Sequence, residues 1–278
     1  MNITWTLFPK FYRHLSAEQL AGLVREVGLD NTTVVIRQGY WVTPENLAAE
    51  LPAFVRSLRR AGIEPHWATA GFMPRPLLSD PAPLAILADN GLREFRMGQW
   101  QFRGVDVRAG LAMARREMQQ LAPVCEQYGV RCVHQLHHDT LVSTAAGIYQ
   151  IVEGLPARHV GVALDPGNQA HDGMENWQRS ARLLGEYLCG LGVKDTALVR
   201  DPARADEPDK GWRRTWCPLY EGVTNWHEVV GALADVDFNG TFVWMPFYDP
   251  DNPDVMTRKL KREVAYLKGV VDAVTRAA

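Results

Sequence analysis

The feature that most limits what this chain can fold into is a rhythm. Short apolar, β-branched runs alternate with longer amphipathic stretches from one end to the other, at a spacing of about 30 residues, as parallel strands joined by helices do. The strand candidates begin at Ile3 (ITWTLF), Thr32 (TTVVIR), Glu64 (EPHWAT), Arg93 (REFRMG), Arg131 (RCVHQLH), His159 (HVGVALD), Tyr187 (YLCGLGVKD) and Gly240 (GTFVWMPF). Between them, Ser16 with Gln19 forms a capping box, Thr43 before Pro44 predicts a helix start, and Asn225 pairs with Glu228. In residues 45–61, Leu47, Leu51, Phe54, Val55 and Leu58 fall at helical spacing, and Gly62 stops the pattern. An open doubly wound sheet would need a Gly-rich phosphate turn after an early strand, and the sequence has none. The expectation is an α/β fold, a single (β/α)8 TIM barrel over residues 1–278, with a long insertion between its last two strands at about 196–223.

Charge and composition narrow the partners. With 30 Lys+Arg against 32 Asp+Glu the net charge is -2, which offers no standing basic surface for nucleic acid. An uncharged apolar run such as 81–88 is far short of the roughly 18 residues a membrane helix needs. The start MNITWTLFPK carries no signal-peptide pattern, so a cytoplasmic chain is expected. Cys125, Cys132, Cys189 and Cys217 form no C-x-x-C pair and read as buried free thiols.

In a barrel of this kind the site lies where strands run out into their following loops. Those positions hold Lys10, Arg37, Tyr40, Trp41, Thr69, Arg96, Trp100, Gln135, His137, His138, Asp139, Asp165, Asn168, His171, Lys194, Asp195, Met245 and Phe247. Aromatic rings beside cationic and hydrogen-bonding groups suit a carbohydrate-like small molecule, whose C–H faces pack on rings while its hydroxyls take directed bonds. Strand alternation sends Gln135 and His137 one way and His134 the other, so the His134–His138 stretch reads either as separate hydrogen-bonded histidines or as partial metal ligation. Asp165 closes an apolar strand and must be paired, ligated or used to cap the turn at Pro166–Gly167. Lys194 either holds an oxyanion or moves a proton, or forms a structural salt bridge. The insertion carries Trp212 and Trp216 among Arg200, Arg204, Lys210, Arg213, Arg214, Asp201, Asp206, Glu207 and Asp209, and reads as a lid over the mouth or as a subunit contact.

At these residues the sequence resembles the xylose isomerase-like TIM barrels, a superfamily of sugar phosphate isomerases and epimerases that also includes AP endonuclease family 2. The likeness is strongest from Gly129 to Phe247. The family pattern is Glu-Asn-His after strand five, Asp followed by Gly-Asn or Gly-His after strand six, His-Val-Lys-Asp at strand seven and Glu at strand eight. Here strand six reads Asp165-Pro166-Gly167-Asn168 and strand seven Gly192-Val193-Lys194-Asp195, while strand five reads Gln135-Leu136-His137 and strand eight places Met245 where the glutamate belongs. Of the four metal ligands the resemblance implies, Asp165 survives and Gln135 could offer a carbonyl oxygen, so Asp165 and Gln135 are the candidate metal ligands.

The resemblance implies an isomerase, epimerase or lyase acting on a carbohydrate or polyol. Its divalent metal (Mn, Zn or Mg) is either lost or relocated to His137, His138, Asp139, Asp165 or His171. Asp165, His137 and Lys194 are the candidate catalytic residues. Arg37, Trp41, Arg96, Trp100, Gln135, Asn168 and Phe247 are the candidate substrate-binding residues. A barrel that binds a sugar or protein without catalysis, and a purely structural subunit, are the other two readings. Association into dimers or tetramers is also implied.

Overall fold

A computed structural model describes residues 1–102, 104, 106–208 and 211–277; Asp209 and Lys210, two charged residues of the insertion, lie outside them. In chain order the strands are β1 (Asn2–Leu7), β2 (Asn31–Thr32), β3 (Val34–Ile36), β4 (Trp67–Ala70), β5 (Glu94–Arg96), β6 (Arg131–Gln135), β7 (Val160–Leu164), β8 (Leu188–Val193), β9 (Asp195–Arg200), β10 (Trp212–Cys217) and β11 (Asn239–Trp244). The helices are α1 (Ala17–Glu26), α2 (Leu47–Arg60), α3 (Pro74–Ser79), α4 (Ala82–Asp89), α5 (Val107–Tyr128), α6 (Ala145–Val152), α7 (Pro166–Asp172), α8 (Trp177–Leu184), α9 (Trp226–Ala234) and α10 (Pro253–Ala277).

All strands but β9 and β10 form one parallel sheet in the order β2-β1-β11-β8-β7-β6-β5-β4-β3. The chain closes on itself because β2 and β3 are two halves of one stave: β2 pairs with β1, β3 pairs with β4, and between them Thr33 still donates its N–H to Leu7 at 2.8 Å. The result is a single (β/α)8 TIM barrel. Strands five, six, seven and eight of the sequence pattern are therefore β6, β7, β8 and β11.

Two apolar layers hold it. Inside the barrel, Phe8, Val35, Trp67, Val133, Ala163, Cys189, Val243 and Met245 pack together, and Gly190 leaves room for the Trp67 indole, which would approach a Cβ there to 3.0 Å. Outside, the opposite faces of the same strands meet the helices in a larger core that includes Leu7, Ile36, Phe95, Phe242 and Trp244. The barrel strands are thus largely apolar on both faces, which is why they read as continuous runs in the sequence rather than as alternating ones.

The helix caps at Ser16–Gln19 and Asn225–Glu228 form as expected, and α2 buries Leu47, Leu51, Val55 and Leu58 before Gly62 takes φ +83°. One start moves: α2 begins at Leu47, not beside Pro44. Thr43 and Asn46 exchange bonds, Thr43 N–H to Asn46 Oδ1 at 2.7 Å and Asn46 N–H to Thr43 Oγ1 at 3.3 Å, and hold Pro44 in a turn ahead of the helix. The 196–223 segment is an antiparallel hairpin in which β9 and β10 pair from Asp195–Cys217 to Arg200–Trp212. All four cysteines are buried free thiols. No described helix is long and apolar enough to cross a membrane.

Candidate active site at the barrel mouth

The site is built from the residues that follow each stave. Alternation along β6 sends Val133 and Gln135 inward, with His137 beyond them, and turns His134 outward, where its ring stacks on Trp100 at 5.2 Å between centroids. At the C-terminal end of the barrel lies a cavity of about 130 Å³. Lys10, Arg37, Arg96 and Lys194 line it, with Gln135, His137 and Thr69. Phe8, Met245 and Phe247 complete the wall.

Asp165 lies directly beneath and is fully buried. Of the three alternatives the sequence left open it fulfils two, pairing and capping. Oδ1 caps α7 by accepting the Asn168 N–H at 2.9 Å, while Oδ2 accepts from the Asn168 side-chain amide at 2.8 Å and from the Gln135 amide. The Lys194 ammonium is 3.4 Å from the same Oδ2. Burial pushes the Asp165 carboxyl above its ordinary range, against the pull of Lys194. Asn168 also donates to the Leu136 carbonyl at 2.9 Å, so it fixes Asp165 rather than facing the cavity.

Burial pushes the Lys194 ammonium down to about 8, with Asp165 opposing the shift. Aromatic faces hold it from the other side: Nζ is 4.6 Å from the Trp216 ring and 4.9 Å from Phe247. Lys10 is held the same way, 4.2 Å from Phe247 and 5.1 Å from Phe11, and burial followed by Arg37 lowers its pKa. Burial, then Arg37, brings Arg96 to about 10, which leaves it charged at neutral pH. His137 is pushed by burial to about 4 and is neutral; its Nδ1 meets the His138 carbonyl at 2.9 Å and must donate there, which leaves Nε2 as an acceptor.

Beside the cavity, His138, His171 and Trp216 form a stack, with centroids 4.4 Å apart for the two imidazoles and 4.7 Å for His171 and Trp216. Stacked rings keep their in-plane lone pairs parallel rather than convergent, and Asp139 is taken by His138 Nδ1 at 2.8 Å. Among the described residues no three His, Cys, Asp or Glu side chains gather around a point where a metal ion could sit.

The structure therefore brings together Arg37, Arg96, Gln135, His137, Lys194 and Phe247, with Asp165 and Asn168 as their floor. Two expected binding residues stand elsewhere. Trp41 donates its indole N–H to the Leu15 carbonyl at 2.9 Å and stacks on Phe54, and Trp100 donates to Glu117 at 2.8 Å along a separate outer groove. Both sit after a stave, but on loops that fold back over the helices. Phe8 is the lining residue that reading by loop position passes over, because it is the last residue of the β1 run, and a strand apolar on both faces gives no parity from which to tell in from out.

A closed parallel barrel with its polar cluster at the C-terminal mouth defines a TIM-barrel protein with its site in the usual place for that fold. The sequence profile described as xylose isomerase-like TIM barrel matches residues 92–268, and the chain belongs to that family. No curated protein sequence matches it. Among solved structures it is similar to D-psicose 3-epimerase with D-tagatose from Clostridium cellulolyticum H10, at 15% identity over 98% of this chain and 99% of that one, with a TM-score of 0.72. It is also similar to IolI with a bound zinc atom, at 16% identity over 97% and 99% of the two chains and a TM-score of 0.73. A third is a xylose isomerase-like TIM barrel protein from Mycobacterium smegmatis in complex with magnesium, at 18% identity over 96% and 98%, with a TM-score of 0.68.

Proposed function

We propose that this chain is an isomerase- or epimerase-type enzyme acting on a small carbohydrate-like molecule at the barrel mouth, and that its own side chains, not a metal ion, carry the charge and the proton. The observation behind this reading is the convergence of Lys10, Arg37, Arg96 and Lys194 with neutral His137 on one cavity. The solved neighbours with sugars bound support the substrate class.

The donor set does not fit Mn, Zn or Mg. Gln135 turns its amide nitrogen toward Asp165, Gly192 has no side chain, and the Met245 thioether is a poor ligand for a hard cation. The Lys194 ammonium already neutralises Asp165.

In this mechanism a C–H bond next to the substrate carbonyl breaks, its proton passes to the neutral form of Lys194, and its electron pair moves onto the carbonyl oxygen. A base near 8 is well matched to neutral conditions. Arg96 stabilises the resulting oxyanion, a contribution of roughly 3 kcal/mol for a well-placed donor. His137 Nε2 accepts from a substrate hydroxyl. Lys194 then delivers that proton to the neighbouring carbon on the same face, while the hydroxyl proton passes through His137 Nε2 to the former carbonyl oxygen, so that aldose and ketose interconvert. Asp165, sealed beneath the cavity, is a positioning residue that sets where Lys194 stands and when it titrates.

The test is solvent deuterium exchange into three- to five-carbon aldoses and ketoses, followed by NMR with chelator present. Exchange at the carbon beside the carbonyl, rising with pH toward 8 and lost in Lys194→Met, is the expected result. Absence of exchange with tight binding retained would favour the non-catalytic binding barrel, a reading the replacement of both family glutamates by Gln135 and Met245 also supports.

A further inference from the structure

We infer that the molecule this cavity takes carries a fixed negative charge: a short sugar acid or sugar phosphate, whose carboxylate or phosphate is gripped by Arg37 and Lys10, with Arg96 left to the oxyanion that forms at the carbonyl. The inference deepens the proposed function and rests on its placing of the substrate at this mouth.

The argument is a count of charges and partners. Four cationic side chains line the cavity, and the acid among their contacts, Asp165, is sealed below it and engaged by Lys194, Gln135 and Asn168. Among the described residues, Lys10, Arg37 and Arg96 have no carboxylate within salt-bridge distance and no side-chain hydrogen bond. Arg96 Nε is buried without a partner, and so is the hydroxyl of Thr69 in the same wall. Buried donors without acceptors are costly, and like charges drawn together in a desolvated pocket are costlier still. Arg37 already depresses both Lys10 and Arg96. A neutral polyol in the cavity would exclude solvent from these groups and supply no charge in return. An oxyanion supplies both the charge and the acceptors, and guanidinium groups match it in a two-pronged geometry.

The way the cations are held points the same way. Lys10 rests on Phe247 and Phe11, which take its charge on ring faces and use none of its N–H donors. Rings position the charge and leave the donors for a ligand. The volume, about 130 Å³, is close to the share of four or five water molecules and fits a ligand of a few carbons, or the charged end of a longer one.

The test is calorimetric titration of the full chain with neutral polyols, the aldonic acids and the aldose phosphates of three to five carbons, at low and high salt. The acid or the phosphate should bind about tenfold or more tightly than the polyol of equal length, with an affinity that falls as salt rises. Whichever of the two leads identifies the oxyanion. Arg37→Gln should lower that affinity by a similar factor and bring the acid and the polyol of equal length to comparable affinities. A second measurement needs no ligand: Arg96→Gln should melt at a higher temperature than the parent, because one unpaired charge is removed. Polyols binding as tightly as their acids, or Arg96→Gln melting lower, would overturn the charge assignment and leave the proposed function standing. Binding of none of the three classes would overturn both.

Discussion

At Gly192 the missing side chain is what lets the site exist in its present form. A Cβ there would sit 2.6 Å from Asp165 Oδ2 and 2.7 Å from Gln135 Nε2, inside the space the amide–carboxylate pair occupies. The family histidine and the Gln135–Asp165 pair are thus alternatives that exclude each other, and the chain has taken the second. Gly192→Ala should destabilise the fold by about 1–3 kcal/mol, the usual range for overpacking. Urea unfolding reads this directly, and an unchanged midpoint would mean that the pair shifts freely. Residue identities at Gln135, Gly192 and Met245 were legible in the sequence as departures from a pattern. What they do instead was not, because the Gln135 amide meets Asp165 across two neighbouring strands.

Two elements meet where the insertion joins the barrel. The β9–β10 hairpin carries Trp216 over Lys194, and Arg214 ties it to α7 by donating to the Ala170 carbonyl at 2.9 Å. Its outer residues Leu198 and Trp212 are exposed, with relative areas of 50% and 59%. Limited proteolysis should cut first within 196–223, and bound ligand should slow it; early cleavage elsewhere with the hairpin intact would remove its role as a cover. The second element is α10, whose buried Glu263 accepts from the Leu219 N–H at 2.8 Å and from Tyr248, tying the hairpin's return to the last helix. Burial raises the Glu263 carboxyl to about 8, above its ordinary value of 4.5. The folded state then binds a proton that the unfolded state has released, so this stability is full below about 4.5 and is lost as pH rises through about 8. Glu263→Gln should flatten that loss, melting above the parent at pH 8 and close to it at pH 5. A parent melting temperature that does not fall across this window would refute the assignment.

For the whole molecule, the same scaffold serves relatives solved with zinc or magnesium, yet here the mouth gathers positive side chains around one sealed carboxylate. Elemental analysis of protein purified without chelator should find no stoichiometric divalent metal, and manganese, zinc or magnesium should not raise the melting temperature. A stoichiometric ion bound with Asp165 would show that the Gln135 amide can turn its oxygen inward.

The sequence by itself determined the barrel. Strand spacing, caps and turns are local properties, and β6, β7, β8 and β11 lie within a residue or two of where their apolar runs predict them. It also marked Asp165, Lys194, Arg37 and Arg96 as candidates, since a stave's end is visible in one dimension. Only the tertiary structure decided which candidates share a cavity. Trp41 and Trp100 follow staves as Arg37 and Arg96 do, but their indoles are spent on Leu15 and Glu117, partners far away in sequence. Lys10 faces Arg37 and Arg96 because closing the sheet through Thr33 brings the ends of the first staves to one rim. Electrostatics acts through space and burial, and neither quantity exists until the chain has closed.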